Sequence, residues 1–138
     1  MKTQILFLCT HNSCRSQMAE ALANHFLGDS CQASSAGTEA TRVNPLAAQV
    51  LTEIGIDTSL LHSKTMDEFT GQTFDHVVTL CGDANEKCPL FFGGVERLHR
   101  GFEDPSCLNG REEDVIPEFR RVRDEIKNWI IDCFGGTP

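Results

Sequence analysis

The sequence predicts an α/β fold, a three-layer sandwich with a four-stranded parallel sheet covered on both faces. Three observations predict it. Short apolar runs of strand length alternate with stretches whose apolar residues recur at helical spacing. The clearest strand, Ile5-Leu6-Phe7-Leu8, is apolar throughout and ends in a polar loop, as a buried strand does. The chain has 138 residues, enough for one core, and no repeat, low-complexity tract or linker divides it, so a single domain over 1–138 is expected.

Taken in order, Gln4 to Leu8 is the first strand. Ser16 to Leu27 carries Met18, Ala19, Leu22, Ala23 and Phe26 at helical spacing, with Gly28 as a stop. Gln32 to Ala36 is a second strand. Asn44-Pro45 supplies a cap followed by proline at the first helical position, and Leu46, Val50, Leu51 and Ile54 form the inner face of that helix up to Gly55. Phe74 to Leu80 is a third strand and Glu96 to His99 a short fourth. The last helix is expected to start near Pro117 and to bury Phe119, Val122, Ile126, Trp129, Ile130 and Cys133. The charge run at 111–114 reads as a solvated loop. Long irregular stretches at 81–95 and 100–116 are where function is expected to sit.

Composition narrows the function. The formal charge of −8 argues against a general binder of nucleic acid or acidic membrane, which needs clustered Lys and Arg. It leaves room for a small-anion site, because such a site depends on a local cradle of N–H groups. The N-terminal apolar run is too short for a signal segment, and nothing approaches the roughly 18 apolar residues of a membrane span. A cytoplasmic protein is expected. Its seven cysteines, 9, 14, 31, 81, 88, 107 and 133, are an odd number and fit a secreted disulfide framework poorly. In a reducing compartment such a density points to metal or redox chemistry. Cys31 and Cys133 read as small buried hydrophobes, and Cys107 has no assigned role.

The stretch Cys9-Thr10-His11-Asn12-Ser13-Cys14-Arg15-Ser16 falls between the first strand and the first helix. In an open parallel sheet, ligands bind at the carboxyl ends of strands. A loop running directly into a helix N-terminus aims several backbone N–H groups at one spot, and the helix dipole adds about half a positive charge. Arg15 offers a planar cationic fork suited to two oxygens of a tetrahedral oxyanion. Thiols in such a field ionise readily. Residues 9–16 thus read as one device, a Cys9 nucleophile under an oxyanion held by Thr10, His11, Asn12, Ser13, Cys14, Arg15 and Ser16, with Ser16 donating to the sulfur. The bland alternative is a structural turn with an incidental cysteine.

This stretch resembles the phosphate-loop signature of the low-molecular-weight protein tyrosine phosphatase fold. With Ser-Gln-Met-Ala-Glu after it, it is similar to the thioredoxin-coupled arsenate reductases built on that fold. The segments SSAGTEA, NPLAAQVLTEIGID, HVVTLCGDANEKCP, GFEDPS and FRRVRDEIKNWI extend the resemblance over nearly the whole chain. It implies that Asp104, in Asp104-Pro105, is a general acid; its bland reading is a turn-initiating Asp. It also implies a relay. Cys9 attacks arsenate, Cys81 attacks Cys9 as arsenite leaves, and Cys88 attacks Cys81. The Cys81–Cys88 disulfide is then reduced by thioredoxin, or alternatively by glutaredoxin with glutathione.

Spacing alone leaves the pair at 81 and 88 open. No His/Cys pair completes a zinc site with it. On a helix, a rise of ~1.5 Å per residue would put the two about 10 Å apart, whereas a disulfide needs Cα atoms within about 7 Å, so bonding requires a loop or a rearrangement. A third strand lying beside the first would bring Cys81 near Cys9. The competing enzyme is a tyrosine phosphatase, which shares Cys9, Arg15, Ser16 and Asp104 but has no use for the two later thiols. Phosphatases of this type tend to carry tyrosines after the Asp-Pro to grip an aromatic ester, and this chain has none. Weak aryl-phosphatase side activity is still expected. A third possibility is a redox or arsenic sensor without turnover.

Some residues depart from the family pattern. His11 stands where glycine is common; histidine enters the left-handed region more readily than bulky residues do. Cys14 reads as structural. Some members hold potassium behind the loop through Asn, Glu, Ser and a later Asp. Asn12, Glu20 and Ser35 match, but Lys64 stands at the Asp position, so either its ammonium replaces the cation or it is a solvated surface lysine. No metal, no cofactor, no nucleic acid and no membrane are expected as partners, and a monomer is expected.

Overall fold

The computed structural model describes residues 2–80 and 93–135. Its elements run β1 (Thr3–Leu8), α1 (Arg15–Phe26), β2 (Cys31–Ala36), α2 (Pro45–Thr52), β3 (Phe74–Thr79), β4 (Gly94–His99) and α3 (Glu112–Phe134). Short 3-10 turns occupy Met66–Phe69 and Pro105–Cys107. The four strands form one sheet in the order β2-β1-β3-β4, and every pairing is parallel. The chain leaves β1 to build β2 on one side and returns to build β3 on the other. The strand order therefore reverses at the carboxyl end of β1, which is where open parallel sheets take their ligands.

Strand alternation sends β1 residues to two cores. Ile5 and Phe7 pack with Met18 and Leu22 of α1, Val50 and Leu51 of α2, and Phe119, Val122 and Ile126 of α3. Leu6 and Leu8 pack with Ala36, Phe74 and Val77, covered by Met66 and Phe69. All four of these β1 residues are fully buried, which is why the run carries no polar residue on either face. The base of the cradle is thus a strand buried on both faces.

The α2 start is the expected one. Asn44 Oδ1 accepts from Leu46 N at 2.9 Å and Ala47 N at 3.4 Å, and Pro45 occupies the first position. Two expectations are corrected. The run at 111–114 is no loop: α3 begins at Glu112, with Glu113 and Asp114 in its first turn and Pro117 inside the helix. Three carboxylates at the positive end of a helix stabilise that start, and Pro117 is exposed, within two turns of it. Cys133 is exposed, because the last turn carries it off the packed face, whereas Cys31 is buried as expected. Trp129 packs against the core only partly buried, edge-on to Phe102 and Phe134. No helix among the described residues is long and apolar enough to cross a membrane.

Candidate active site

The loop after β1 closes around Cys9. The first bond inside α1 runs from Met18 N to Cys14 O at 2.9 Å. The amides of Ser16 and Gln17 precede the helix's own hydrogen bonds and point toward its start, where a helix receives an anion. Gly37 makes the close fit possible. A Cβ there would stand 2.5 Å from Thr10 O, 2.8 Å from Cys9 O and 2.9 Å from Asn12 N. β2 thus reaches the back of the loop only through a residue without a side chain.

The surroundings of Cys9 form a chain of hydrogen bonds. Cys9 is buried, with its Sγ 2.8 Å from Ser16 Oγ. Asn12 Nδ2 donates to the same Ser16 Oγ at 2.8 Å. With the Asn12 amide donating to that oxygen, the serine's own hydrogen is free to turn to the sulfur. The amide orientation of Asn12 is itself determined: its Oδ1 accepts from Lys64 N at 2.7 Å and Gln17 Nε2 at 2.9 Å. Asn12 is the non-glycine residue with positive φ among those described, at 48°. The left-handed turn therefore falls on a residue that tolerates it, and His11 bears no such strain.

Arg15 is buried at the first position of α1. Its Nη1 donates to Leu80 O at 3.3 Å and Phe102 O at 3.1 Å, and its Nη2 lies 3.4 Å from Asp104 Oδ2. The guanidinium thus joins the cradle to the end of β3 and to the acid loop. Asp104 caps the 3-10 turn, with Oδ1 accepting from Ser106 N at 3.0 Å and Ser106 Oγ at 2.6 Å. Cys9, His11, Ser13, Cys14, Arg15 and Asp104, together with Thr41, Asn44 and Ser106, line one cavity of about 290 Å³, at the small end for ligand pockets. Cys14 is buried, and burial pushes its thiol well above the ordinary range, with Asp104 and Cys9 adding to the effect. It remains a neutral thiol beside Cys9.

Thr10 braces the loop through its carbonyl, which accepts from Glu39 N at 3.2 Å and Thr38 Oγ1 at 3.1 Å. His11 is at the rim, its Nδ1 3.6 Å from Glu39 Oε2, with Thr41 and Ser63 hydroxyls donating to its carbonyl. Behind the loop, Lys64 Nζ lies 3.3 Å from Glu20 Oε1 and 2.9 Å from His62 O, while Ser35 Oγ donates to Glu20 at 2.8 Å. Lys64 is 6 % exposed, so it is no solvated surface lysine. Its ammonium sits against the Glu20 carboxylate behind the loop.

The structure thus brings together Cys9, Arg15, Ser16 and Asp104 as the sequence predicted. Cys81 and Cys88 lie outside the described residues. Their strand is placed as expected: β3 pairs with β1, and Leu80 N donates to Leu8 O at 3.0 Å. Sequence reasoning missed the pocket roles of Thr41 and Ser106, and read Asn44 only as a helix cap. No local pattern marks them, since they reach the cavity through tertiary packing.

A buried cysteine under a helix start, with an arginine fork and an Asp-Pro acid opposite, defines an oxyanion-handling enzyme of the phosphatase-loop class. The family description "Low molecular weight phosphotyrosine protein phosphatase" matches residues 4–134, and the chain belongs to this family. Within it, the chain is 51 % identical over 126 residues, 91 % of each chain, to a protein of Bacillus subtilis named arsenate reductase. A solved arsenate reductase in the phosphate-binding state aligns with a TM-score of 0.78 at 33 % identity, covering 96 % of this chain and 95 % of that one. A thioredoxin-dependent arsenate reductase of Corynebacterium glutamicum aligns with a TM-score of 0.59 at 32 % identity, over 95 % of this chain and 63 % of its own.

Proposed function

We propose that this chain is an arsenate reductase that regenerates itself through a three-thiol relay ending at thioredoxin, and so serves arsenic detoxification. The observation that carries the reading is the Cys9–Ser16–Asn12 chain of hydrogen bonds, whose Cys9 shares one small cavity with Arg15 and Asp104.

Arsenate enters as an oxyanion held by the loop amides and Arg15. The Cys9 thiolate attacks arsenic, forming an S–As bond while one oxygen leaves as water, protonated by Asp104. Ser16, with its hydrogen on Sγ, supports the thiolate before attack and on release. The Cys81 thiolate then attacks the Cys9 sulfur. An S–S bond forms, the S–As bond breaks, and its electron pair stays on arsenic, which departs as arsenite. Cys88 attacks Cys81, freeing Cys9 as a thiolate, and a dithiol protein returns two electrons to the Cys81–Cys88 disulfide. Such a cycle suits a cytoplasmic location, where thiols are kept reduced. The phosphatase reading uses only the first attack. Among the described residues the cavity is lined by Thr41, Asn44 and Ser106 and by no aromatic side chain that would grip an aryl ester.

The test is multiple-turnover arsenate reduction with thioredoxin and thioredoxin reductase. Wild type is expected to turn over, and Cys9→Ser, Cys81→Ser and Cys88→Ser to lose at least about 10³-fold. Full turnover without Cys81 and Cys88 overturns the relay. Retained turnover of Cys88→Ser with glutaredoxin and glutathione assigns a different reductant.

A further inference from the structure

We propose that Asn44 is a substrate-binding residue as well as a helix cap: its Oδ1 fixes the start of α2 while its Nδ2 donates to an oxygen of the anion in the cavity. The inference rests on the oxyanion reading of the site but does not depend on reduction.

Asn44 is tied to the cradle twice. Its backbone N donates to Ser13 O at 2.9 Å, and the residue lines the same cavity as Cys9, Arg15 and Asp104. An amide has one acceptor end and one donor end. Here the acceptor end is committed, because Oδ1 takes the Leu46 and Ala47 amides at 2.9 and 3.4 Å. The –NH2 group therefore faces away from the helix start, and among the described residues it meets no acceptor.

Its neighbours at the mouth differ. The Thr41 hydroxyl donates to His11 O at 3.2 Å, and the Ser106 hydroxyl donates to Asp104 Oδ1 at 2.6 Å. Arg15 has Nη1 engaged by two backbone carbonyls. An oxyanion with four oxygens thus meets a mouth where two nearby hydroxyl hydrogens are already taken and the Asn44 amide hydrogens are not. Capping and binding also reinforce each other. The same contacts that stabilise α2 preset the donor's direction, so little side-chain freedom is lost on binding.

Serine and aspartate both serve as N-caps, so Asn44→Ser and Asn44→Asp keep the helix start and remove the amide –NH2, serine leaving only a shorter hydroxyl and aspartate no donor. Phosphate binding is measured by protection of Cys9 from iodoacetamide, which needs no turnover, alongside steady-state arsenate kinetics and Tm. Asn44→Ser is expected to weaken phosphate binding and raise the arsenate KM, each about tenfold, with kcat within about twofold. Asn44→Asp is expected to do worse, since a carboxylate then faces a dianion. Tm should stay within a few degrees in both.

Wild-type phosphate protection in both variants overturns the proposal, as does a loss that merely follows a fall in Tm. If wild type fails to reduce arsenate while Asn44→Ser still loses phosphate protection, the binding role stands and the reductase reading falls. If wild type reduces arsenate and the variants keep its KM, the reverse holds.

Discussion

The two walls of the pocket differ in how they are held. On the side of Cys9, the proposed nucleophile, Cys9, Asn12, Cys14, Arg15, Ser16 and Gln17 are all buried, and side-chain amides bind Asn12, Ser16 and Gln17 to one another and to His62 and Lys64. On the acid's side, Asp104 is only partly buried, Ser106 and Cys107 are exposed, and Asp104 is held mainly by its own neighbours. Its 3.4 Å approach to Arg15 is its link across the cavity. The division follows the chemistry. A nucleophile and an anion cradle work by being preorganised, whereas an acid must exchange its proton with water between turnovers.

The comparison can be broken first at the acid. Asp104→Asn is expected to lower kcat by about 10²- to 10³-fold while phosphate protection of Cys9 and Tm stay near wild type. A collapse of phosphate binding would mean that the acid wall shapes the cradle after all. Gly37→Ala attacks the other wall. Three backbone atoms stand within 3 Å of the new Cβ, so the loop must shift. A stability loss of about 1–3 kcal/mol, seen as a lower midpoint in urea, should accompany weakened anion binding.

Labelling sharpens the contrast inside the buried wall. Burial pushes the Cys14 thiol up, so at pH 8 iodoacetamide should modify Cys9 well before Cys14, as peptide masses will show. Above about pH 9, the unfolded chain gives up the Cys14 proton while the native state keeps it. Stability therefore falls as pH rises there, and Cys14→Ala should flatten that limb of the Tm profile. The smallest effect is expected from salts. With Lys64 in the cation's place, exchanging potassium for sodium should change kcat/KM by less than about twofold, and a large potassium-specific gain would overturn that assignment.

Much of this was legible in the sequence because the signals are local. An apolar strand, a polar turn and a helix start are contiguous from Ile5 to Ser16, and Asn44-Pro45 marks its helix with two adjacent residues. The α3 start was misread because Pro117 looks like a first helical residue and Glu112 to Asp114 like a charged loop. Their value as a first turn appears only once Val115 and Ile116 are seen buried beneath. Lys64 was ambiguous for a different reason: its partner Glu20 is 44 positions away. The donor end of Asn44 was invisible because a cap is defined by its acceptor alone.

The ion pair between Lys64 and Glu20 has a practical corollary. A counter-charge tethered by its own hydrocarbon stem is present at full occupancy in every molecule, and neither dialysis nor a change of buffer removes it. Its partners are 8 % and 14 % exposed at the side chain, so dissolved salt screens the pair weakly. The back of the loop therefore keeps this counter-charge whichever alkali metal the surroundings supply.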